Sequence, residues 1–82
     1  MKEIKAVLYG EPGNNAVIRL PDRRYPGILI QGDTLKNLVE TSELVAKLAR
    51  EQAGGELADE AGGLAGMLRD LYDWYSRETS SS

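Results

Sequence analysis

The 82-residue sequence contains no cysteine and no histidine. Without cysteine the chain cannot form a disulfide or use a thiolate, and without either residue it lacks the usual ligands of a zinc site. Histidine is also the side chain most often used as a general acid or base, so the commonest form of acid–base catalysis is excluded. We therefore expect no catalytic residue, no metal and no cofactor, and we expect that the protein is not an enzyme.

Long apolar runs are missing as well. No run approaches the ~18 residues that identify a membrane-spanning helix. The start, "MKEIKAVLYG", lacks the apolar core and the small-residue cleavage site of a signal peptide. These features predict a cytoplasmic protein that does not enter a membrane.

Positive charge is in short supply. The formal net charge is −3, and it is divided unevenly: residues 1–36 carry six Lys/Arg against four Asp/Glu, and residues 37–82 carry four against nine. Proteins that bind nucleic acids usually present a basic stripe or patch. Nucleic acid is therefore not an expected partner, and a protein partner is.

The first part of the sequence is patterned as three short strands. Apolar side chains alternate over residues 4–9 and again over 16–20, and the segment "GEPGNN" between them is typical of a tight turn. Pro21 ends the second strand because it has no N–H to donate. A third strand is predicted over Ile28, Leu29 and Ile30, which glycines flank on both sides.

After Gly32 the apolar spacing changes to that of helices. A first helix is predicted from an N-cap at Asp33, with Thr34 as the neighbouring candidate, to about Gln52, where "AGG" ends it. A second is predicted from about Leu57 to Ser76, with Gly62 and Gly66 on the side opposite its apolar residues, so its first turns should be weak unless something covers them. The predicted core side chains are Leu35, Leu38, Thr41, Leu44, Val45, Leu48 and Ala49 in the first helix and Leu57, Ala61, Leu64, Ala65, Leu68, Leu71, Tyr72 and Tyr75 in the second.

These elements predict an α+β fold of order β-β-β-α-α, with two helices packed on one face of a three-stranded antiparallel sheet. A single domain is expected over residues 1–76, followed by a disordered polar tail over 77–82. A chain of this length buries little core, so a homodimer is a further expectation.

The acidic pairs and the glycines do not form a recognisable site. Asp59/Glu60 and Asp70/Asp73 fall on the predicted solvent face of the second helix, whereas carboxylate catalysis needs a shaped pocket. The glycine-containing segments match neither a P-loop nor a dinucleotide-binding fingerprint.

The strongest candidate for partner binding is a cluster of arginines around one tyrosine, formed by Arg19, Arg23, Arg24 and Tyr25. Guanidinium groups grip carboxylates, and Arg and Tyr are enriched where protein interfaces gain most of their affinity. The alternative is a solvated loop with salt bridges to the acidic helices. Trp74, near the end of the second helix, is either at the edge of the core or part of an interface.

The segment "AVIRLPDRRYPGILIQGDTLKNLVETSELVAKL" closely resembles a family of small, uncharacterised bacterial proteins whose signature is "YPG", an aliphatic residue and "LIQGD". It is similar, more distantly, to HicB-like antitoxin domains, through the spacing of "PD", "PG" and "QGDT". Two extra residues lengthen the loop after Asp22, and no DNA-binding extension follows. The HicB-like resemblance implies a protein that binds a partner protein, as an antitoxin or immunity protein does.

Two readings follow from these residues. The first is a non-enzymatic protein-binding module, antitoxin- or immunity-like, that either masks a basic partner with its acidic helices or binds an acidic one with Arg19, Arg23 and Arg24. The second is a structural protein that associates with itself as a homodimer through its third strand or second helix. An enzyme relying on carboxylates is the remaining alternative.

Overall fold

The computed structural model describes residues 2–13 and 15–80. In chain order the elements are β1 (Val7–Tyr9), β2 (Asn15–Arg19), β3 (Gly27–Ile30), α1 (Gly32–Gln52) and α2 (Gly55–Ser80). The chain divides into two compact units, Met1–Gln31 with the strands and Gly32–Ser82 with the helices. The predicted α+β class and the order of elements are confirmed. The helices covering one face of the sheet, and a single domain over residues 1–76, stay predictions.

The first unit is an antiparallel sheet of order β1-β2-β3. Its register pairs Leu8 with Ile18 on one face, and Tyr9 with Val17 and Val17 with Ile28 on the other. Strand β1 is shorter than predicted. It begins at Val7, so Ile4 and Ala6, which were expected to belong to it, lie before it. Val7 pairs with Arg19, the last residue of β2, so extending β1 backwards would bring it opposite Pro21, which has no N–H to donate.

The second unit is a helical hairpin whose ends agree with the local sequence signals. Helix α1 begins at Gly32, one residue before the predicted N-cap Asp33, which therefore lies in the first turn; its Oδ1 accepts a hydrogen bond of 2.9 Å from the adjacent Thr34 N–H. At the far end of α1, the N–H groups of Ala53 and Gly54 donate to the Ala49 carbonyl at 3.0 and 2.7 Å. Gly54 has a φ of 69°, the left-handed conformation with which glycine commonly ends a helix.

The two helices pack through a narrow row of mostly small side chains. The buried residues within the described part of the chain are all in this hairpin: Leu35, Val39, Ala46, Ala49 and Ala65. In α1 they recur, with half-buried Ser42, at alternating steps of four and three residues, the spacing of antiparallel helices that share one seam.

This seam corrects part of the predicted core. Leu38, Leu44, Val45 and Leu48 were expected to be buried, and they are 41% to 55% exposed. Val39 and Ala46, absent from the predicted set, are buried instead. The distance between packed helices depends on the side chains between them, and alanines permit a closer approach than leucines do.

Helix α2 is also longer than predicted. It continues without interruption through Gly62 and Gly66 and extends beyond Ser76 to Ser80, so residues 77–80 of the expected tail are helical. The hydroxyls of Thr79 and Ser80 donate to the carbonyls of Tyr75 and Ser76 at 2.9 and 2.6 Å. Residues 81 and 82 of that tail lie outside the described residues.

Candidate functional site

The β2–β3 loop, residues 20–26, carries most of the predicted binding residues. Pro21 follows β2 directly, and Asp22 has a φ of 63°, a conformation that aspartate tolerates better than most residues. The Arg23 N–H donates to the Leu20 carbonyl at 3.2 Å and closes a tight turn. The turn therefore fixes the backbone from which Arg23 and Arg24 project.

Arg19 ties this loop to the sheet. Its Nη1 donates to the Arg23 carbonyl at 3.3 Å, and its Nε donates to the Tyr9 hydroxyl at 3.4 Å. The side chain thus spans from β1 to the loop. Arg19 has a structural role that its position in the sequence did not reveal.

Tyr25 is the more exposed of the two large hydrophobic side chains of the loop, at 74% against 43% for Leu20. The Arg24 guanidinium carbon lies 5.6 Å from the centre of its ring, within range of a cation–π interaction. Beside it, Arg23 and Tyr25 border a groove of about 310 Å³ whose other lining residues are Ile18, Leu20, Gly27 and Ile28. The lining thus combines apolar side chains with one cationic and one aromatic side chain.

The charges of this loop are not neutralised within the strand unit. Among the described residues 2–13 and 15–31, no carboxylate lies within ion-pair distance of Arg19, Arg23 or Arg24. The alternative of a loop with salt bridges to the acidic helices stays a prediction. Four of the five predicted binding residues come together here, and Trp74 lies in the other unit, 58% exposed on α2.

One face of the helical hairpin is polar. Arg69 donates from Nη2 and Nε to the two carboxylate oxygens of Glu43 at 2.8 and 3.0 Å, and its Nη1 lies 3.9 Å from Asp73. The hydrogen bond from Arg69 lowers the pKa of Glu43, and Glu43 in turn raises the pKa of Arg69. Because both groups are exposed and satisfied by each other, we interpret the pair as a clasp between α1 and α2 and not as a reactive centre.

The opposite face of the hairpin is apolar, and sequence reasoning missed it because it assigned these side chains to the core. We define the apolar face by six residues that are 41% to 59% exposed: Leu38, Val45, Leu48, Leu57, Leu64 and Leu71. A groove of about 240 Å³ runs between the helices here, lined by Leu38, Val45, Leu64 and Leu68 among others. The sequence did contain an indication of this face: each helix has more apolar residues at three- and four-residue steps than one seam can bury.

The acidic residues that the sequence offered as candidates do not form a site in the described part of the chain. Asp59, Glu60, Asp70 and Asp73 are exposed, as predicted, and Glu60 also lines a groove of the apolar face. In the part of the chain that the structure describes, no three acidic side chains come together in a way that could hold a metal ion. Neither α1 nor α2, over the same residues, has an apolar stretch long enough to span a bilayer.

A protein-family model matches residues 1–81. The chain belongs to DUF6959, a family of unknown function. The prediction that the chain belongs to an uncharacterised family is confirmed. The "YPG" to "LIQGD" signature of that family and the HicB-like resemblance stay predictions. No curated protein and no solved structure matches this DUF6959 chain.

Proposed function

We propose that this protein is a non-enzymatic binding module that recognises an acidic surface of a partner protein with its β2–β3 loop. The observation that carries the proposal is the charge of Arg23 and Arg24, which no described carboxylate of the strand unit pairs with, beside the exposed ring of Tyr25. Exposed guanidinium groups on a fixed turn can form bidentate contacts with carboxylates, and little ordering is needed when they bind.

The groove next to the loop supports a protein as the ligand. Its apolar lining residues, Ile18, Leu20 and Ile28, would contact an aliphatic or aromatic side chain next to the acidic group. A buried apolar anchor surrounded by polar contacts is the usual anatomy of a protein interface. The partner chemistry that fits is thus an acidic segment with an adjacent apolar residue.

The role we propose for this binding is to mask the partner, as an antitoxin or immunity protein does, within the cytoplasm. Masking requires a stoichiometric complex and a partner whose own activity is blocked by it. Support comes from the resemblance of "PDRRYPG" and "QGDT" to HicB-like domains.

The test compares three forms of the protein as baits in extracts of the native cell, with quantitative mass spectrometry. The loop variant is Arg23→Glu/Arg24→Glu, and the matched control is Lys2→Glu/Lys5→Glu, which changes the net charge equally within the same unit. We expect one stoichiometric partner with the wild type and the control, and a loss of at least about tenfold in affinity with the loop variant.

Two results would overturn the proposal. One is the absence of any stoichiometric partner, and the other is a partner that the loop variant retains as well as the control does. The masking role fails separately if the purified partner is as active in the complex as alone. Circular dichroism of each form shows that the compared proteins are folded.

A further inference from the structure

We propose that the apolar face of the helical hairpin is a dimer interface, through which two copies of this chain pack antiparallel into a four-helix bundle. This inference does not depend on the proposed function, because it concerns α1 and α2 and not the β2–β3 loop. It identifies the surface by which the chain would associate with itself.

The first reason is that each helix has a second apolar row beside the one already used. In α1 the hairpin seam contains Leu35, Val39, Ser42, Ala46 and Ala49. Leu38, Thr41, Val45 and Leu48 repeat the same three- and four-residue steps about a quarter turn away. In α2 the second row contains Leu57, Leu64 and Leu71, one heptad apart. A helix that must bury only one seam needs a single narrow row, whereas a helix of a four-helix bundle faces two neighbours and needs a wider face.

The second reason is that both rows lie on the same face of the hairpin. Leu38 and Val45 of α1 line one groove together with Leu64 and Leu68 of α2. A neighbouring groove is lined by Val45 together with Leu57, Leu64 and Met67. The two rows therefore form one continuous surface, which is what a second hairpin needs in order to pack against both helices.

The area of this surface is that of a stable dimer. The six residues of the apolar face, together with Met67 (64% exposed) and Trp74 at its edge, expose on the order of 500 Å² of apolar side chain. A standard interface buries about 800 Å² per partner, of which about 56–65% is apolar. The exposed apolar area thus equals the apolar share of one such interface.

Charge decides the orientation of the second copy. Glu60 is the one charged residue among those lining the two grooves, and it lies near the start of α2. Parallel stacking of the hairpins would bring two Glu60 carboxylates close together in an apolar surrounding, which is costly. The antiparallel arrangement separates them to opposite ends of the bundle and uses the same patch on both copies, as twofold symmetry requires.

The test is sedimentation equilibrium of the full chain from low to high micromolar concentration. The wild type is expected to approach twice the mass of one chain. Leu64→Glu places a carboxylate in the centre of the face and is expected to raise the dimer dissociation constant at least about tenfold. Gly66→Glu is the matched control, because it adds the same charge to the same helix beside the groove that Arg69 and Arg50 line. It is expected to leave the dimer unchanged.

A second measurement covers the case in which Leu64→Glu does not fold. The chain has no cysteine, so single cysteines can be placed at Leu38, Val45, Leu57, Leu64 or Leu71 and oxidised. At least one of these positions should give a disulfide-linked dimer, and Gly62→Cys and Gly66→Cys should not. A wild type that remains a monomer at high micromolar concentration overturns the inference, as does cross-linking that is equal on the two faces.

The outcomes are separable from those of the proposed function. Arg23→Glu/Arg24→Glu should lose the partner and keep the dimer, and Leu64→Glu should lose the dimer. If the dimer is absent while the loop variant still abolishes partner binding, the inference fails and the proposed function stands.

Discussion

At the scale of single residues, the sequence motif around Gly32 has a packing explanation. The first turn of α1 and the ring of Tyr75, near the end of α2, are in contact at Gly32, and a Cβ there would overlap the ring. Tyr75 also stacks on Tyr72, with 6.0 Å between ring centres. The glycine of "QGD" therefore makes room for an aromatic side chain from the other helix, a contact between residues 43 positions apart.

We expect Gly32→Ala to destabilise the protein because the added methyl group displaces the Tyr75 ring. A double-mutant cycle with Tyr75→Leu should give a coupling energy of about 1 kcal/mol, since the alanine is tolerated once the ring is gone. Chemical denaturation of the four proteins measures it. A coupling energy near zero would mean that Tyr75 is not what requires glycine at this position.

The Glu43–Arg69 clasp gives a prediction on pH. Arg69 holds the pKa of Glu43 below its usual value, so the unfolded chain binds a proton at Glu43 more readily than the folded chain does. The stabilisation by the pair is fully present above the ordinary glutamate range and is lost as the pH falls through the lowered pKa of Glu43.

Thermal unfolding of the wild type and of Glu43→Gln between pH 7 and pH 3 measures this loss. The difference in melting temperature between them should be largest at neutral pH and should shrink below about pH 4. Added salt should reduce it at neutral pH, because the pair is exposed. Asp70→Asn, on the helix that carries Arg69 but outside the pair, is the control, and an equal pH dependence for both variants would contradict the assignment.

At the scale of elements, the glycines of α2 are a local weakness without a packing reason. Neither Gly62 nor Gly66 would place a Cβ within 4 Å of another group, and both lie inside a continuous helix. The expectation that the start of α2 is weak therefore still rests on helix propensity. Gly54 differs from these two glycines, because the turn between the helices requires its left-handed φ of 69°.

We expect Gly66→Ala to raise the free energy of unfolding by about 1 kcal/mol, because alanine is favoured over glycine inside a helix by about that amount. The same substitution at Gly54 should lower it, since an L-residue is strained in the left-handed conformation. Denaturant titration of both variants gives the two signs. A destabilising Gly66→Ala would indicate that this position is covered in solution.

At the scale of the whole molecule, the two units carry different kinds of surface. The strand unit presents cations on a short loop that no described carboxylate of that unit pairs with, and the helical unit presents a broad apolar face opposite an ion-paired one. Cationic loops confer specificity and fast association, whereas apolar faces confer stable assembly. A dimer built through the hairpins would carry two β2–β3 loops and could bind a partner with two acidic sites more tightly than one chain does. Arg23→Glu/Arg24→Glu measures the contribution of the loop, and Leu64→Glu measures that of the dimer.

Much of the fold was predictable because its signals are local. Pro21 marks the end of β2, Asp33 supplies the first-turn carboxylate of α1, and Gly54 ends that helix. Of the candidate site, Arg23, Arg24 and Tyr25 were predictable as a cluster because they are adjacent in sequence. The role of Arg19 was not, since it depends on the register that brings Tyr9 near it.

The sequence by itself determined which elements form and in what order, because turns, caps and apolar period are properties of neighbouring residues. Only the tertiary structure decided which row of each helix is buried. Each helix has two apolar rows of helical period, so periodicity cannot tell which one is buried, and in α1 the contact formed along the row with the smaller side chains. That choice left Leu38, Val45 and Leu64 on the surface, where the sequence had predicted a core.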